Sequence, residues 1–398
     1  MRMLRALAAW AGLMFLAIVG VAGSAAAQGL ELGPFRILPS LGLSLEYDDN
    51  ILLTPDNEID DFIFHIIPGI VIELPSRKYA VRLGYQADIL RYMDNTDLDT
   101  IHHSVLADAR VALTVGLGFR LTDRFIITDD FSGFPVPEVT QREERWENTL
   151  DAGVDYTVRE RYTLDVNFRW FMVDYTDDPS FDQFDRDDYT IAGTFFYRLM
   201  PKTSILGEVD YTQVRYDEPA VARDRDSDGW RFWLGVKGDI TPKTTILLKV
   251  GWEWKDYDNP AREDWDGLVA EVNVIWKYRE PSEIRIFGGR ANVESLFEGT
   301  NYYVTTYGGA EVRHFLSERL ILRVRGLGGV NQYPEDVLLG AGSADRTDTF
   351  FEAGISLKYQ MRRWLAFELG YNYLVNNSNF NEFDYRDNRV KASVLFSY

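Results

Sequence analysis

The sequence predicts an all-β chain: a transmembrane, antiparallel up-and-down β-barrel of about eighteen strands. Three observations lead there. Short turns rich in Pro, Lys and Arg recur roughly every 40 residues, the length of a hairpin of two long strands plus an opposing loop. The intervals between them alternate polar and apolar residues. In 162–175, Tyr162, Leu164, Val166, Phe168, Trp170 and Met172 share one face, with Thr163, Asp165, Asn167 and Arg169 between them, a period of two. The third observation is an export signal at the start of the chain. A propeller blade has a similar repeat length, but blades hold four short strands where each interval here holds two long ones.

Residues 1–27 carry Arg2 and Arg5, an apolar run from Ala6 to Val21, and Ser24-Ala25-Ala26-Ala27 before Gln28. This reads as a signal peptide cut after Ala27, too short and too small-ended for a membrane helix. Residues 28–398 then form one barrel domain, with no Pro/Gly/Ser linker to divide it. Loss of the two leader arginines takes the formal net charge from −20 to −22. So acidic a chain repels nucleic-acid backbones, which excludes them as partners. The absence of cysteine excludes disulfides, thiolate metal sites, a catalytic Cys and a lipidated Cys. The 22 Tyr, 24 Phe and 10 Trp suit a lipid-facing apolar band flanked by aromatic girdles.

In chain order the alternating segments are 36–47, 61–73, 79–93, 101–114, 117–129, 145–158, 162–175, 187–199 and 204–216. The rest are 228–240, 244–257, 265–278, 283–296, 301–316, 319–332, 346–360, 364–376 and 384–398. Short turns lie at Leu74-Pro75-Ser76-Arg77, Thr114 to Gly116, Arg159-Glu160-Arg161, Met200 to Thr203, Thr241 to Thr244, Glu280-Pro281-Ser282, Ser317-Glu318-Arg319 and Met361-Arg362-Arg363. The opposite connections are longer and acidic, as at Asp48 to Asp61, Asp94 to Asp99, Phe131 to Glu144, Asp177 to Asp188, Asp217 to Asp228, Asp256 to Asp266, Tyr333 to Arg346 and Asn376 to Asp384. Outer-membrane barrels keep short turns in the periplasm and long loops outside. The even strand count then places both termini in the periplasm of a bacterial outer membrane, with lipid and lipopolysaccharide as surroundings.

In the last segment Val390, Ala392, Val394, Phe396 and Tyr398 alternate to the final residue. This terminal aromatic strand is similar to the signal that barrel-insertion machinery reads, which makes that machinery an expected partner. The first strand, Gly42-Leu43-Ser44-Leu45-Glu46-Tyr47-Asp48-Asp49-Asn50-Ile51, ends in Tyr-Asp-Asp-Asn. With the hairpin rhythm, it resembles the outer-membrane β-barrel porins associated with exopolysaccharide and capsule loci. The resemblance spans most of the chain and implies help for polymer or solute across the outer membrane, with polysaccharide-export proteins as partners.

Lipid-facing positions must be apolar, so parity sends the charged residues of each strand to the lumen. The lumen-lining candidates are Arg82 and Asp88, then Asp108 and Arg110, then Arg120 and Arg124, then Asp165 and Arg169. Further along the chain come Glu208 and Asp210, Glu253 and Glu271, Glu311 and Arg313, and Arg323 and Arg325. Both signs interleave, either as neutralising cross-strand pairs or as a screen for hydrated solutes. The inward rings Phe171, Phe196, Trp233 and Tyr307 either stack on sugars or pack against arginine stems. With 16 to 18 strands a barrel leaves an aqueous channel, and no loop is long enough for a bulky plug. The apolar stretch Phe131-Ser132-Gly133-Phe134-Pro135-Val136-Pro137 is the candidate for an infolded constriction, with a partner-contact tip or a packed loop lid as the other readings.

No cofactor is indicated and no catalytic residue stands out. Asp224, Asp226 and Asp228 open like a calcium loop, but the twelfth position is Gly235 where a bidentate acid belongs, leaving a weak Ca²⁺ contact or a solvated loop. Of the histidines His65, His102, His103 and His314, the adjacent pair falls near the rim acids Asp97 and Asp99, without a nucleophile or metal-ligand spacing. Three functions are weighed: a passive channel for hydrophilic solutes or saccharides, an accessory barrel for exopolysaccharide export or assembly, and, remotely, a surface hydrolase. The reading is a channel, not an enzyme.

Overall fold

A strand that alternates apolar and polar side chains can satisfy its backbone in lipid only by pairing on both edges, so a closed sheet is the outcome. The structure is a computed structural model and describes residues 29–76, 78–138, 141–217, 224–260, 262–297, 300–339 and 342–397. The segment read as a leader and the terminal Tyr398 lie outside the described residues. The strands are β1 (Leu30–Leu32), β2 (Phe35–Asp48), β3 (Asp61–Pro75), β4 (Tyr79–Tyr92), β5 (Thr100–Thr114), β6 (Leu117–Thr128), β7 (Arg145–Val158), β8 (Tyr162–Tyr175), β9 (Arg186–Met200) and β10 (Thr203–Tyr216). They continue as β11 (Ser227–Thr241), β12 (Thr244–Tyr257), β13 (Trp265–Arg279), β14 (Ser282–Glu294), β15 (Tyr302–Phe315), β16 (Leu320–Leu339), β17 (Gly342–Arg362), β18 (Leu365–Ser378) and β19 (Tyr385–Ser397).

Each strand from β2 to β19 pairs antiparallel with its sequence neighbours, and β19 returns to β2 with Ser393 opposite Ser44. This makes a closed barrel of eighteen strands, to which β1 adds a short extra pairing on β2. One face carries the large exposed apolar residues, among them Phe64, Leu83, Val154, Leu164, Phe195, Leu234, Val250 and Leu369. Rings edge that band at both ends. Trp230, Phe232, Trp252 and Trp254 contact one another toward the long-loop end, and Trp276 with Tyr278 and Trp364 with Phe396 sit toward the short turns. The turn between β7 and β8 has Arg159 and Glu160 at φ 51° and 54°, the two left-handed residues that match strand twist in a tight hairpin. Gly116, at φ +79°, closes the β5–β6 turn, where an added Cβ would lie 2.5 Å from the Thr157 carbonyl oxygen.

The Tyr-Asp-Asp-Asn motif sits on the closing seam. The Asp49 carboxylate accepts the Asn388 backbone N–H and side-chain amide, both at 2.7 Å. Fully buried Asn50 donates to the Arg386 carbonyl at 2.9 Å and accepts the Thr54 N–H at 3.0 Å. First and last strands are thereby clamped where the ring closes.

Two regions depart from the sequence reading. The segment read as a loop from Tyr333 to Arg346 is strand, since β16 and β17 stay paired past Tyr333 and Arg346 to Leu339 and Gly342. Pro334 falls in the register shift between Tyr333 and Asp336, where a residue lacking an N–H costs no ladder bond. The second departure is at β14. Its pairing with β13 ends at Ala270 and Arg290, while its pairing with β15 runs on to Glu294 and Tyr302. The tip of the β14–β15 hairpin therefore leaves the wall.

Candidate functional site in the barrel interior

Contacts across the ring identify the interior face. The β6–β7 connection reaches β15 through a two-way clamp, in which the Tyr303 hydroxyl accepts the Phe134 N–H at 3.0 Å and donates to the Phe134 carbonyl at 2.8 Å. Farther on, the Tyr385 hydroxyl of β19 donates to the Pro137 carbonyl at 2.9 Å. Val136 is buried among Leu53, Leu327, Phe350, Leu374 and Tyr385, with Phe131 and Tyr307 against the same cluster. A segment between β6 and β7 touches β15 to β19 only by crossing the enclosed space. The Phe134–Pro135 peptide within it is cis.

The opposite face from the apolar band is therefore the lumen side, and strand register places the charged candidates there. Arg120 pairs with Asp165 at 2.6 Å and Asp155 at 3.6 Å. It reaches over Gly153, where a Cβ would meet its guanidinium at 2.6 Å. Arg169 pairs with Asp151 at 2.9 Å, Arg110 with Asp108 at 3.7 Å, and Arg82 with Glu73 at 3.9 Å. On the far wall Lys249 bridges Glu208 at 2.6 Å and Glu271 at 3.6 Å. Arg323 meets Glu368 at 3.5 Å, and Arg325 meets Glu352 at 3.4 Å. Asp88 holds His65 at 3.1 Å, Asp210 accepts the Trp233 indole N–H at 3.0 Å, and Glu253 faces Arg231 at 3.6 Å. Arg313 lies over the Phe315 ring at 5.0 Å and stands opposite Arg323, as Glu311 stands opposite Arg325. Arg124 is exposed on the same face. The inward rings are covered: Phe171 by Arg186, Phe196 by Lys237, Trp233 by Lys249, and Tyr307 by the edge of Phe134.

At the long-loop end the infolded β14–β15 tip meets the crossing loop. Buried Glu138 accepts the Leu296 N–H at 2.9 Å and the Ser295 hydroxyl at 2.5 Å. Burial pushes its carboxyl above the usual range, against the pull of those donors. Arg225 donates to the Ser295 and Phe297 carbonyls at 2.9 and 3.1 Å. Fully buried Arg346 pairs with Asp348 at 2.6 Å and lies 3.5 Å from the centre of the Phe383 ring. Tyr302 stacks on Tyr257 at 6.1 Å, and Lys255 pairs with Glu294, which also accepts the Tyr216 hydroxyl at 3.0 Å. Two modest loops together thus occupy the space for which no single loop was long enough. Sequence reasoning missed the Glu138, Ser295 and Arg346 group. Its one visible signal is charged and small polar residues where a loop tip has no need of them.

The two adjacent histidines part company. His102 faces inward, with Nε2 2.5 Å from Asp129 and Nδ1 3.7 Å from Asp130, while His103 lies outside against the Tyr85 hydroxyl at 3.0 Å. The expected neighbour Asp99 instead pairs with Arg91 at 3.6 Å and accepts the Tyr92 N–H at 2.9 Å. Although burial opposes it, the His102 hydrogen bond and Arg142 at 3.1 Å hold the Asp129 carboxyl below its usual range. Asp224, Asp226 and Asp228 do not converge. They accept, respectively, the Asp226 N–H at 3.0 Å, the Tyr216 N–H at 2.8 Å and the Arg215 guanidinium at 2.7 Å. Among the described residues the groups whose ligand-type atoms converge are His102, Asp129 and Asp130, and Asp48, Asp49 and Asp387. In the second, Arg389 lies 3.2 Å from Asp48 and 2.5 Å from Asp387, supplying the positive charge itself.

The family profile described as Putative beta-barrel porin 2 matches residues 24–398. The chain belongs to that family. This porin is an outer-membrane barrel, as its exposed apolar band and closed ladder require. Among solved structures it is similar to OccK1 (OpdK) of Pseudomonas aeruginosa, with 12% identity, TM-score 0.49, and 91% of this chain and 99% of that one covered. OpdL of the same organism gives 11% identity, TM-score 0.48, and 92% and 99% coverage. OccAB4 of Acinetobacter baumannii gives 9%, 0.47, and 92% and 99%. No curated protein matches the chain.

Proposed function

We propose that this porin passes small hydrophilic solutes, saccharides among them, by passive diffusion through a lumen of paired charges narrowed at the long-loop end. The observation that carries the reading is the closed ring of eighteen strands with charges of both signs on its inner face. Barrels of about 16 to 18 strands enclose an aqueous passage. The stretch Phe131 to Pro137 and the β14–β15 tip are the constriction, through which solutes are sorted by size first and by charge second. The short turns face the periplasm together with both termini, residues 1–27 are the export leader, and insertion uses the strand ending in Tyr398.

A second reading, an accessory barrel in exopolysaccharide export, would use the inward rings as a sugar-stacking track. Those rings are already covered by cations or by Phe134, which favours the diffusion channel. The test is conductance of the folded chain in a planar bilayer, with added oligosaccharides. Stepwise currents that sugars reduce support the channel, and a correctly folded barrel with no current contradicts it. Deletion that removes surface polysaccharide while leaving small-solute uptake intact would select the export reading.

A further inference from the structure

Between the inner wall of β10 to β12 and the infolded β14–β15 tip lies a cavity of ≈ 80 Å³. Its polar lining includes Ser227, Arg231, Glu253, Lys255, Asn292 and Glu294. Three of these present buried polar atoms with no hydrogen-bond partner in the protein: the Ser227 hydroxyl, Glu253 Oε2 and Asn292 Nδ2. Ser227 is 1% exposed and Glu253 7%. Glu253 Oε2 has Arg231 Nε at 3.6 Å, an ion pair beyond hydrogen-bond reach. Leaving buried polar atoms without a hydrogen bond is unfavourable, so the pocket favours a guest that completes them.

The chemistry of the guest follows from what is missing and what is not. Glu253 Oε2 requires a donor, Asn292 Nδ2 requires an acceptor, and the Ser227 hydroxyl takes either. A hydroxyl group both donates and accepts, so a chain of hydroxyls matches all three. Charge is already balanced in the wall: Arg231 lies 3.6 Å from Glu253, and Lys255 is ion-paired with Glu294. A charged guest would unbalance two buried pairs, whereas a neutral one leaves them intact. The cavity exceeds the roughly 10–15 Å³ needed for a single water and admits several waters or one small polyol.

We propose that this pocket is a binding subsite for a neutral polyhydroxylated solute, at the point where the infolded hairpin narrows the lumen. It rests on the channel reading, because a solute reaches it only through the barrel interior. The orientation of the hydroxyls sets specificity here, since the wall offers acceptor, donor and exchangeable hydroxyl in fixed positions.

The test uses the full folded chain in detergent, with saturation-transfer NMR of erythritol, glycerate as the anionic probe and 2-amino-1,3-propanediol as the cationic one. Erythritol binding is expected, with Ser227→Ala and Asn292→Ala each weakening it about tenfold, the worth of one lost hydrogen bond. Both charged probes should bind at least about tenfold more weakly than erythritol. Heat-modifiable gel mobility checks that each variant is folded, and Asn292→Leu, which fills the space instead of emptying it, provides a second route to the same loss. No erythritol signal, equal binding of charged probes, or unchanged binding in folded variants overturns the subsite and leaves water as the occupant. The same preparation in a planar bilayer separates the two ideas: current without erythritol binding removes the subsite and keeps the channel, while binding without current does the reverse.

Discussion

The interior toward the short turns and the interior toward the long loops use charge differently. Toward the turns the arginines of the pairs are half in water, as with Arg82 on Glu73 or Arg325 on Glu352, at 53% and 45% exposed against 22% and 18% for the carboxylates. Toward the loops Arg346 and Asp348 are 0% and 2% exposed, and Lys255 and Glu294 are 6% and 9%. Exposed pairs are worth about 0–1 kcal/mol, so the first set shapes the field that a passing solute meets. Buried pairs are strongly destabilising when broken. Lys255 and Glu294 join β12 to the infolded tip, and Arg346, paired with Asp348 within β17, donates to the Glu138 carbonyl of the crossing loop at 3.3 Å. One barrel thus carries a hydrated wall and a locked cap, distinguished by solvent and not by residue type.

That contrast breaks most sharply at Arg346. Arg346→Ala leaves Asp348 buried and uncompensated and should cost about 3–5 kcal/mol, read from denaturant unfolding followed by tryptophan fluorescence. A loss no larger than that of Arg325→Ala would erase the difference between the two regions. Next in size, Glu138→Ala removes the contact that ties the crossing loop to Ser295 and Leu296, at about 2 kcal/mol. It should also raise single-channel conductance while the barrel stays folded. Smaller still in stability, Arg120→Ala should change unfolding by less than about 1 kcal/mol. Because it removes a lumen cation and leaves Asp165 and Asp155, the reversal potential in a salt gradient should move toward cation selectivity.

A local, pH-dependent effect lies in the β8–β9 loop. Burial raises the Asp185 carboxyl to about 7, with Asp174, Asp182 and Asp217 adding to it against the Tyr175 N–H. Its folded state holds a proton more tightly than the unfolded chain does. Its ionisation therefore costs stability in full above about 7, and that cost is relieved as pH falls toward the ordinary carboxylate range. Asp185→Asn should flatten proteolysis of residues 176–185 across that interval, and an unchanged profile would reassign the dependence to another group.

The wall was legible, and of the cap only the stretch Phe131 to Pro137 was, for a physical reason. Alternation from Tyr162 to Met172 reports which face a side chain takes, and eighteen such stretches closed by short turns admit one ring. It does not report the path of the backbone in space. Tyr302 and Val304 share the parity of lipid-facing positions on β15, yet both are buried, because the hairpin tip turned inward and carried that face onto Tyr257 and Trp265. The partners of His102 were missed because its neighbours come from the next hairpin, at Asp129, and not from its own loop at Asp97 and Asp99. The strands past Tyr333 were hidden by Pro334 and the acids around it, which read as a loop until the register shift places the proline out of the ladder.

The most direct measurement is the single-channel conductance of the wild-type chain beside a variant in which residues 131–137 are replaced by a short Gly-Ser link. A lumen narrowed by a loop fastened across it predicts a small, steady wild-type current and one several-fold larger in the variant, with both barrels folded. Equal currents would contradict the constriction, and no current from either folded barrel would contradict the channel.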